Sequence, residues 1–250
     1  MGERIVIIPA RHGSVRFPGK PLANETGRPL IQHVVESARR CAAVARVVVA
    51  TDDARIEEAV RGFGGECVMT RADHENGTSR LAEAAEALGL GDDAVVVNVQ
   101  GDEPEIEGEV SEGAIEALEA PGAVMGTVGS MFAADEDPAD ANIVKVVRRL
   151  DGTALYFSRA LIPHLREGVG EGEGERALKH VGIYAYRRDF LRTYVGLSPT
   201  PLERTERLEQ LRALEHGFAI GVEVRRAAHH GIDTPQQYAA FVERWRARMG

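Results

Sequence analysis

The chain is poor in cysteine, short of positive charge and without a long apolar run. Its 250 residues include only two cysteines, Cys41 and Cys67, each in a stretch that reads as a regular element, with no second Cys or His at metal-ligand spacing. That excludes a disulfide scaffold and a Cys/His metal site, and fits reduced thiols in the cytosol. Lys plus Arg number 30 against 39 Asp plus Glu, a formal net charge of −9 at pH 7. A protein that coats nucleic acid needs a net basic face, so no nucleic-acid partner is expected, although a local basic pocket for a small anion remains compatible with this balance. No run approaches membrane-spanning length, and "MGERIVIIPA" is interrupted too soon for a secretory signal, so the expectation is a cytoplasmic protein with no membrane partner. Internal repeats are absent, and so are the two best-known phosphate-loop signatures, G-x-x-x-x-G-K-[ST] and G-x-G-x-x-G.

What is present is an ordinary globular composition, 44% hydrophobic and 28% charged, with length enough for one large domain carrying a smaller lobe. The first half alternates strand and helix patterns. "RIVIIPA", "RVVVAT", "ECVMT" and "AVVVNVQ" read as strands; between them, "RPLIQHVVESARRCAA", "DDARIEEAVRGFGG" and "GTSRLAEAAEALG" carry apolar residues at helical spacing. Strands apolar on both faces alternating with helices imply a Rossmann-like α/β fold with a mostly parallel central sheet. On such sheets ligands bind beyond the carboxyl ends of the strands. Here those ends are "PARHGS", "ATDD", "MTRADHENGT" and "QGDEP", all polar, charged or glycine-bearing.

The middle of the chain changes character. "VMGTVGSMF", "NIVKVVRR", "TALYFSRA" and "HVGIYAYRR" are strand-like with no long helix between them, predicting a smaller, more antiparallel lobe at about 132–188 within a single domain spanning 1–250. The Gly/Glu-rich stretch at 167–179 reads as a solvated loop. Helical patterns return in "PLERTERLEQLRALEHG", with Thr200 as N-cap and Pro201 in the first turn, and in a last helix opened by "DTPQQ", where Thr234 and Gln237 fit a capping box.

Two constellations carry chemistry. In "PARHGSVRFPGKPL", Gly13 and Gly19 permit close backbone approach, Pro9, Pro18 and Pro21 stiffen the segment, and Arg11, Arg16 and Lys20 offer charge to phosphate oxygens. Gly13 and Gly19 are separated by five residues rather than four, and Pro21 follows Lys20 where a metal-binding hydroxyl would stand, so this cradle is not of the Walker type. In "VNVQGDEP", Asp102 ends an apolar strand; its neighbour Glu103 points the other way on an extended segment, so the two are not expected to act together. A carboxylate beside a basic phosphate loop points to Mg2+ shared between protein and triphosphate. Asp233, just before the last helix, reads by itself as a helix-start carboxylate, and no spacing argument gives its distance from Asp102.

These segments, with "TRADHENGTSR", "NIVKVV", "YFSRALIP", "HVGIYAY", "LEQLRALEHG" and "GIDTP", run in order along essentially the whole chain and resemble the 3-deoxy-manno-octulosonate cytidylyltransferases, also called CMP-KDO synthetases. The resemblance implies transfer of CMP from CTP to the 2-hydroxyl of the sugar acid KDO, with release of pyrophosphate, for lipopolysaccharide precursor synthesis, by a homodimer that uses the smaller lobe to dimerise. Arg11, Lys20, Asp102 and Asp233 fall at catalytic positions, the two aspartates as Mg2+ ligands. Pro9, Ala10, Arg11, Gly13, Ser14, Arg16, Lys20, Arg71, Asn76, Gly77 and Thr78 fall where the family binds nucleotide, and Gln100, Arg159, His180, Tyr184, Glu209 and Gln210 where it holds KDO. Taken singly, His180 reads as a strand-start histidine, Tyr184 as core and Glu209 as a helix surface residue. Val15, Asn76, Ser79, His164, Gln236 and Gln237 depart from the family's common residues. His164 bears on the sugar end, where an 8-amino analogue of KDO or a sialic acid is the alternative substrate. A CTP-binding sensor without chemistry is the alternative of another class, against which both retained aspartates argue.

Overall fold

The structure is a computed structural model and describes residues 2–13, 16–74, 76–166 and 177–249. The chain divides into two compact units: Met1–Glu112 with Ala228–Gly250, and Gly113–Ala227.

The first unit is built on four strands, β1 (Arg4–Ala10), β2 (Arg46–Thr51), β3 (Glu66–Met69) and β4 (Val95–Asn98), alternating with helices α1 (Leu30–Ala38), α2 (Ala54–Gly62) and α3 (Gly77–Ala87). The strands lie in the order β3-β2-β1-β4, all parallel, with Ile7 level with Val48 on one side and with Asn98 on the other. Ile5, Val6, Ile7 and Ile8 are all fully buried, as are Val48, Val49, Val96 and Val97. Continuous apolar runs of this kind arise because each strand is covered on both faces, leaving no solvent side to demand alternation. The order reverses direction at β1, so the crevice beyond β1 and β4 is the topological switch point where such sheets bind ligands. The chain leaves this unit within α4 (Gly108–Glu116).

The second unit holds β5 (Ala123–Met131), β6 (Lys145–Arg148), β7 (Ala154–Ser158), β8 (Leu178–Arg187) and β9 (Ala219–Val224), with helices α5 (Arg188–Val195), α6 (Pro201–Glu206) and α7 (Gln210–Glu215). β5 runs antiparallel to β8 and parallel to β9, while β6 pairs antiparallel with both β7 and β8. The "PLERTERLEQLRALEHG" stretch, expected as one helix, is two. The capping box at Thr200 and Glu203 starts α6, but Arg207 turns left-handed at φ 54 and ends it. That turn lets Leu208 go into the core and leaves the last carbonyls of α6 without intrahelical partners.

α8 (Pro235–Met249) returns to the first unit. Its Thr234–Gln237 box forms: the Gln237 side chain accepts from Thr234 N–H at 3.0 Å and its backbone N–H donates to Thr234 Oγ1 at 3.3 Å. Tyr238, Phe241 and Val242 pack with Leu30 and Ile232, and Phe17 of the glycine–proline loop joins the cluster, its ring 5.6 Å from that of Tyr238.

Candidate active site

In the first unit, the glycine–proline loop closes on itself. Gly19 N–H donates to His12 O at 3.0 Å, and Gly19 sits at φ 71, where a side chain would be strained and would meet the His12 ring at 3.1 Å. The short helical turn from Lys20 to Leu22 follows, and Lys20 is turned inward, its side chain 11% exposed. The loop beyond β4 reaches the same place because Gly101 has no side chain: a Cβ there would stand 2.8 Å from Pro9 O, against backbone that cannot yield cheaply. Gly77, the first residue of α3, lies beside the Pro9 ring, where a Cβ would make an ordinary contact at 3.4 Å.

Lys20 is the hub. Its ammonium donates to Asp102 Oδ2 at 2.7 Å and to Ile232 O at 2.6 Å, and stands 3.8 Å from Asp233 Oδ1. Arg16 pairs with Asp233 Oδ1 at 2.9 Å. The two aspartates, distant in sequence, therefore address one cation. Two contacts bring them together. Ile232 N–H donates to Asp102 O at 2.8 Å, tying the two loops by backbone, and the Phe17–Tyr238 contact holds α8 against the glycine–proline loop. Glu107 adds a third tie: its carboxylate accepts from Ala228 N–H at 3.0 Å and pairs with His229 Nδ1 at 2.5 Å. Burial pushes the Glu107 carboxyl up, but the His229 and Ala228 hydrogen bonds outweigh it and bring it to about 2.

Lys20 also tests the fit of a metal. Its ammonium shows that one cation can lie close to both carboxylates, which are hard oxygen donors of the kind Mg2+ prefers. No group of three or more His, Cys, Asp or Glu residues converges to hold a metal among the described residues. Two carboxylates suit a Mg2+ whose remaining ligands are phosphate oxygens and water.

Asp102 and Glu103 have different surroundings: Asp102 meets Lys20, whereas Glu103 Oε2 is out of water with no hydrogen-bond partner among the described residues, although Glu103 as a whole is half-buried. Burial, reinforced by Asp102 and Glu107 and opposed by His229, pushes its carboxyl up to about 7. Nothing in "QGDEP" marks it as a buried acid.

The other first-unit positions gather around the same strand ends. Arg11 is exposed and has no ion-pair partner among the described residues. Asn76 is the N-cap of α3, its Oδ1 accepting from Ser79 N–H at 2.9 Å, which leaves its amide nitrogen to donate to a ligand. Thr78 is buried; Arg71 is exposed beside Asp73 and Glu83. The His74 ring bridges Glu83 and Ser79, and Arg80, buried, ties Asp52 at 3.1 Å to Thr70, firming the loop that carries these residues. Pro9 and Ala10 end β1, a Cβ at Gly13 would meet nothing within 4 Å among the described residues, and Gln100 is half-buried just after β4. Ser14 and Val15, and 167–176 of the Gly/Glu-rich stretch, lie outside the described residues.

The second unit brings its five predicted residues into a different setting. His180 packs edge-on to Phe157, centroids 5.0 Å apart, and 5.4 Å from Tyr184. Burial alone lowers its imidazole to about 3, and burial, reinforced by Tyr186, Tyr194 and Glu209, raises the Tyr184 phenol. Thr127 Oγ1 lies 3.0 Å from His180 Nε2 and donates to Ile183 O at 2.6 Å. A hydroxyl has one proton, so toward His180 it can only accept. His180 is thus neutral, carries its proton on Nε2, and presents Nδ1 as an acceptor. Gln210 is buried at the start of α7 with its Nε2 lacking a partner among the described residues, a donor that a ligand oxygen would satisfy. Glu209 caps α7, and its backbone oxygen accepts from Tyr194 Oη at 2.8 Å. Arg159, directly after β7, is half-buried, with Nε donating to Glu206 O at 2.8 Å and Nη1 to Ala141 O at 3.0 Å.

A family model described as Cytidylyltransferase matches residues 5–223. A 3-deoxy-manno-octulosonate cytidylyltransferase of Syntrophobacter fumaroxidans is 49% identical over 241 residues, 96% of each chain. That of Syntrophotalea carbinolica is 50% identical over 236 residues, covering 92% of this chain and 93% of its own. The chain belongs to the 3-deoxy-manno-octulosonate cytidylyltransferase family. Among solved structures, a CMP:2-keto-3-deoxy-manno-octonic acid synthetase complexed with CTP superposes with a TM-score of 0.89 at 42% identity, over 98% of this chain and 99% of that one. Of the predicted site residues, Arg11, Arg16, Lys20, Asp102 and Asp233 lie in the first unit, and Arg159, His180, Tyr184, Glu209 and Gln210 in the second.

Proposed function

We propose that this chain transfers the CMP moiety of CTP to the 2-hydroxyl of 3-deoxy-manno-octulosonate, releasing pyrophosphate. The observation that carries the reading is the convergence of Asp102 and Asp233 on one cation beside the glycine–proline loop, in a chain whose relatives bear that name. In the reaction the hydroxyl oxygen bonds to the α-phosphorus as the bond to the bridging oxygen breaks. Pyrophosphate departs with that electron pair, and the hydroxyl proton is released to water.

The first unit takes the nucleotide. Arg11, Arg16 and Lys20 offset charge on the phosphates, above all the charge that grows on departing pyrophosphate. Lys20 can exchange its carboxylate partners for phosphate oxygens with little movement, since its ammonium already sits at the loop. Asn76, Gly77, Thr78 and Arg71 stand at the α3 end for base and ribose. Asp102 and Asp233 would hold Mg2+, which when bound supplies Lewis acidity and fixes an in-line approach. The second unit supplies five of the six residues assigned to the sugar acid, Gln100 of the first unit being the sixth. Arg159 offers a guanidinium to the carboxylate, His180 Nδ1 accepts from a hydroxyl and Gln210 Nε2 donates to an oxygen. Met131, Leu150, Leu155, Leu161 and Leu165 are large apolar side chains facing solvent in this unit, which supports a homodimer formed through the stretch at about 132–188. The two cysteines are free thiols and no described helix is long and apolar enough to cross a membrane; both accord with work in the cytoplasm.

Pyrophosphate release with the common nucleoside triphosphates against KDO, its 8-amino analogue and sialic acid, in the presence of Mg2+, tests the reading. Turnover with CTP and KDO is expected; turnover only with another sugar acid, or none with any, overturns it.

A further inference from the structure

We infer that Glu206 and Lys145 are positioning residues that fix Arg159 for the sugar's carboxylate. The inference rests on the reading of Arg159 as the carboxylate clamp. Both backbone polar groups of Arg159 are held by charged side chains of opposite sign. Its N–H donates to Glu206 Oε2 at 3.0 Å, and its carbonyl accepts from Lys145 Nζ at 2.5 Å. The other Glu206 oxygen accepts from Ser158 Oγ at 2.7 Å, so the carboxylate grips the end of β7 and the residue after it together.

The side chain is held by the same pair. α6 stops at the left-handed Arg207, so Glu206 O has no intrahelical donor, and Arg159 Nε supplies one at 2.8 Å. Lys145, with no solvent exposure, also donates to Asp140 O at 2.9 Å and Ile143 O at 2.6 Å. It thereby fixes the turn whose Ala141 carbonyl takes Arg159 Nη1 at 3.0 Å. Nη2 has no acceptor among the described residues. Nε and one Nη1 proton are engaged, which leaves Nη2 and the second Nη1 proton as the pair that a carboxylate can meet in a bidentate contact. Holding it in place beforehand removes the rotamer freedom that a long side chain otherwise loses on binding. A buried ammonium enclosed by carbonyls is a costly way to secure a turn for stability alone; its return here is a set geometry at Arg159.

Steady-state kinetics with CTP and KDO varied separately test this on Glu206→Gln, Arg159→Lys and the double variant. Glu206→Gln is expected to raise the KM for KDO about tenfold, with the KM for CTP and kcat within about threefold of the unaltered enzyme. In the Arg159→Lys background the same change should add less than about twofold, because the group it positions is gone. Full additivity of the two substitutions, or a Glu206→Gln loss that falls equally on both substrates, overturns the inference. If Arg159→Lys leaves the KM for KDO unchanged, the clamp reading itself fails and the inference with it. If Arg159→Lys raises that KM and Glu206→Gln does not, only the inference fails. Should Glu206→Gln not fold, Glu206→Asp, which keeps the charge but withdraws the carboxylate by one methylene, carries the same expectations.

Discussion

The two units treat charge in opposite ways. In the first, Lys20, Asp102, Asp233 and Arg16 meet at a rim where the side chains of Asp233 and Arg16 are 46% and 66% exposed, and their pairing leaves water within reach. In the second, His180 is neutral by burial, Gln210 is buried with a donor unmet among the described residues, and Lys145 is enclosed by carbonyls. The contrast follows from the substrates proposed for each. A triphosphate brings several negative charges, and exposed side chains can exchange partners with it at little cost because solvent screens the intermediate arrangements. A sugar acid is told from other sugars by hydroxyl positions, and directional hydrogen bonds discriminate only where water cannot substitute for them. It follows that first-unit substitutions should cost turnover more than fold, and second-unit substitutions should cost both.

The hardest test of that division is Asp102→Asn. The first-unit reading expects turnover to fall by about a hundredfold or more, the scale of one strong transition-state contact, while the melting temperature stays within about 3 °C. A variant that keeps near-normal pyrophosphate release contradicts the metal role; one that unfolds breaks the division between units.

Gly101→Ala sharpens it. The added methyl would stand 2.8 Å from Pro9 O, so the backbone at the ends of β1 and β4 must part. We expect stability to drop by about 1–3 kcal/mol and turnover by about tenfold, since Asp102 moves with its neighbour. Equal activity with a normal melting temperature would show that this loop is not held as closely as the structure has it.

Thr127→Val is the second-unit counterpart. Valine keeps the shape but removes the acceptor for His180 Nε2–H and the donor to Ile183 O. Leaving these buried groups unmet should cost about 1–3 kcal/mol, and a loosened ring should raise the KM for KDO rather than that for CTP. A change in the CTP value alone would reverse the assignment of substrates to units.

These residues differ in how well the sequence announces them. The parallel sheet is visible because its strands are apolar runs, and Asp102 because a carboxylate follows one of them. The spacing of Asp102 and Asp233 is not visible, since it depends on Phe17 meeting Tyr238 and on one backbone bond from Ile232, contacts between opposite ends of the chain. Gln100, Arg159, His180, Tyr184, Glu209 and Gln210 were placed by resemblance; the structure adds that His180 is an acceptor at Nδ1, which depends on Thr127, a strand residue with no chemical mark of its own. Glu206 and Lys145 are illegible for a plainer reason. A glutamate in an acidic helical stretch and a lysine in "NIVKVV" look like solvated charges, and the helical spacing runs unbroken through the left-handed Arg207. Only the break shows why Glu206 has a carbonyl to give.

The smallest effect has opposite signs in the two units. His180, lowered by burial to about 3 against an ordinary 6.5, stays neutral in the fold. Above pH 6.5 its contribution is fully present, and as pH falls from there toward 3 the unfolded chain takes a proton that the fold refuses, so stability is lost. Glu103, raised by burial to about 7 against 4.5, works the other way: its contribution is present below 4.5 and is lost as pH rises through 7. Between pH 7 and 5 the two oppose one another, and the unaltered protein should show a shallow net slope. Glu103→Gln removes the compensation and should make stability in denaturant fall more steeply on acidification. His180→Gln should make it fall less steeply, by up to about 1.4 kcal/mol per pH unit. Both slopes moving in the same direction would mean that one of the two side chains is solvated in the folded protein, and the contrast between exposed charge in the first unit and enclosed polar groups in the second would have to be redrawn around that residue.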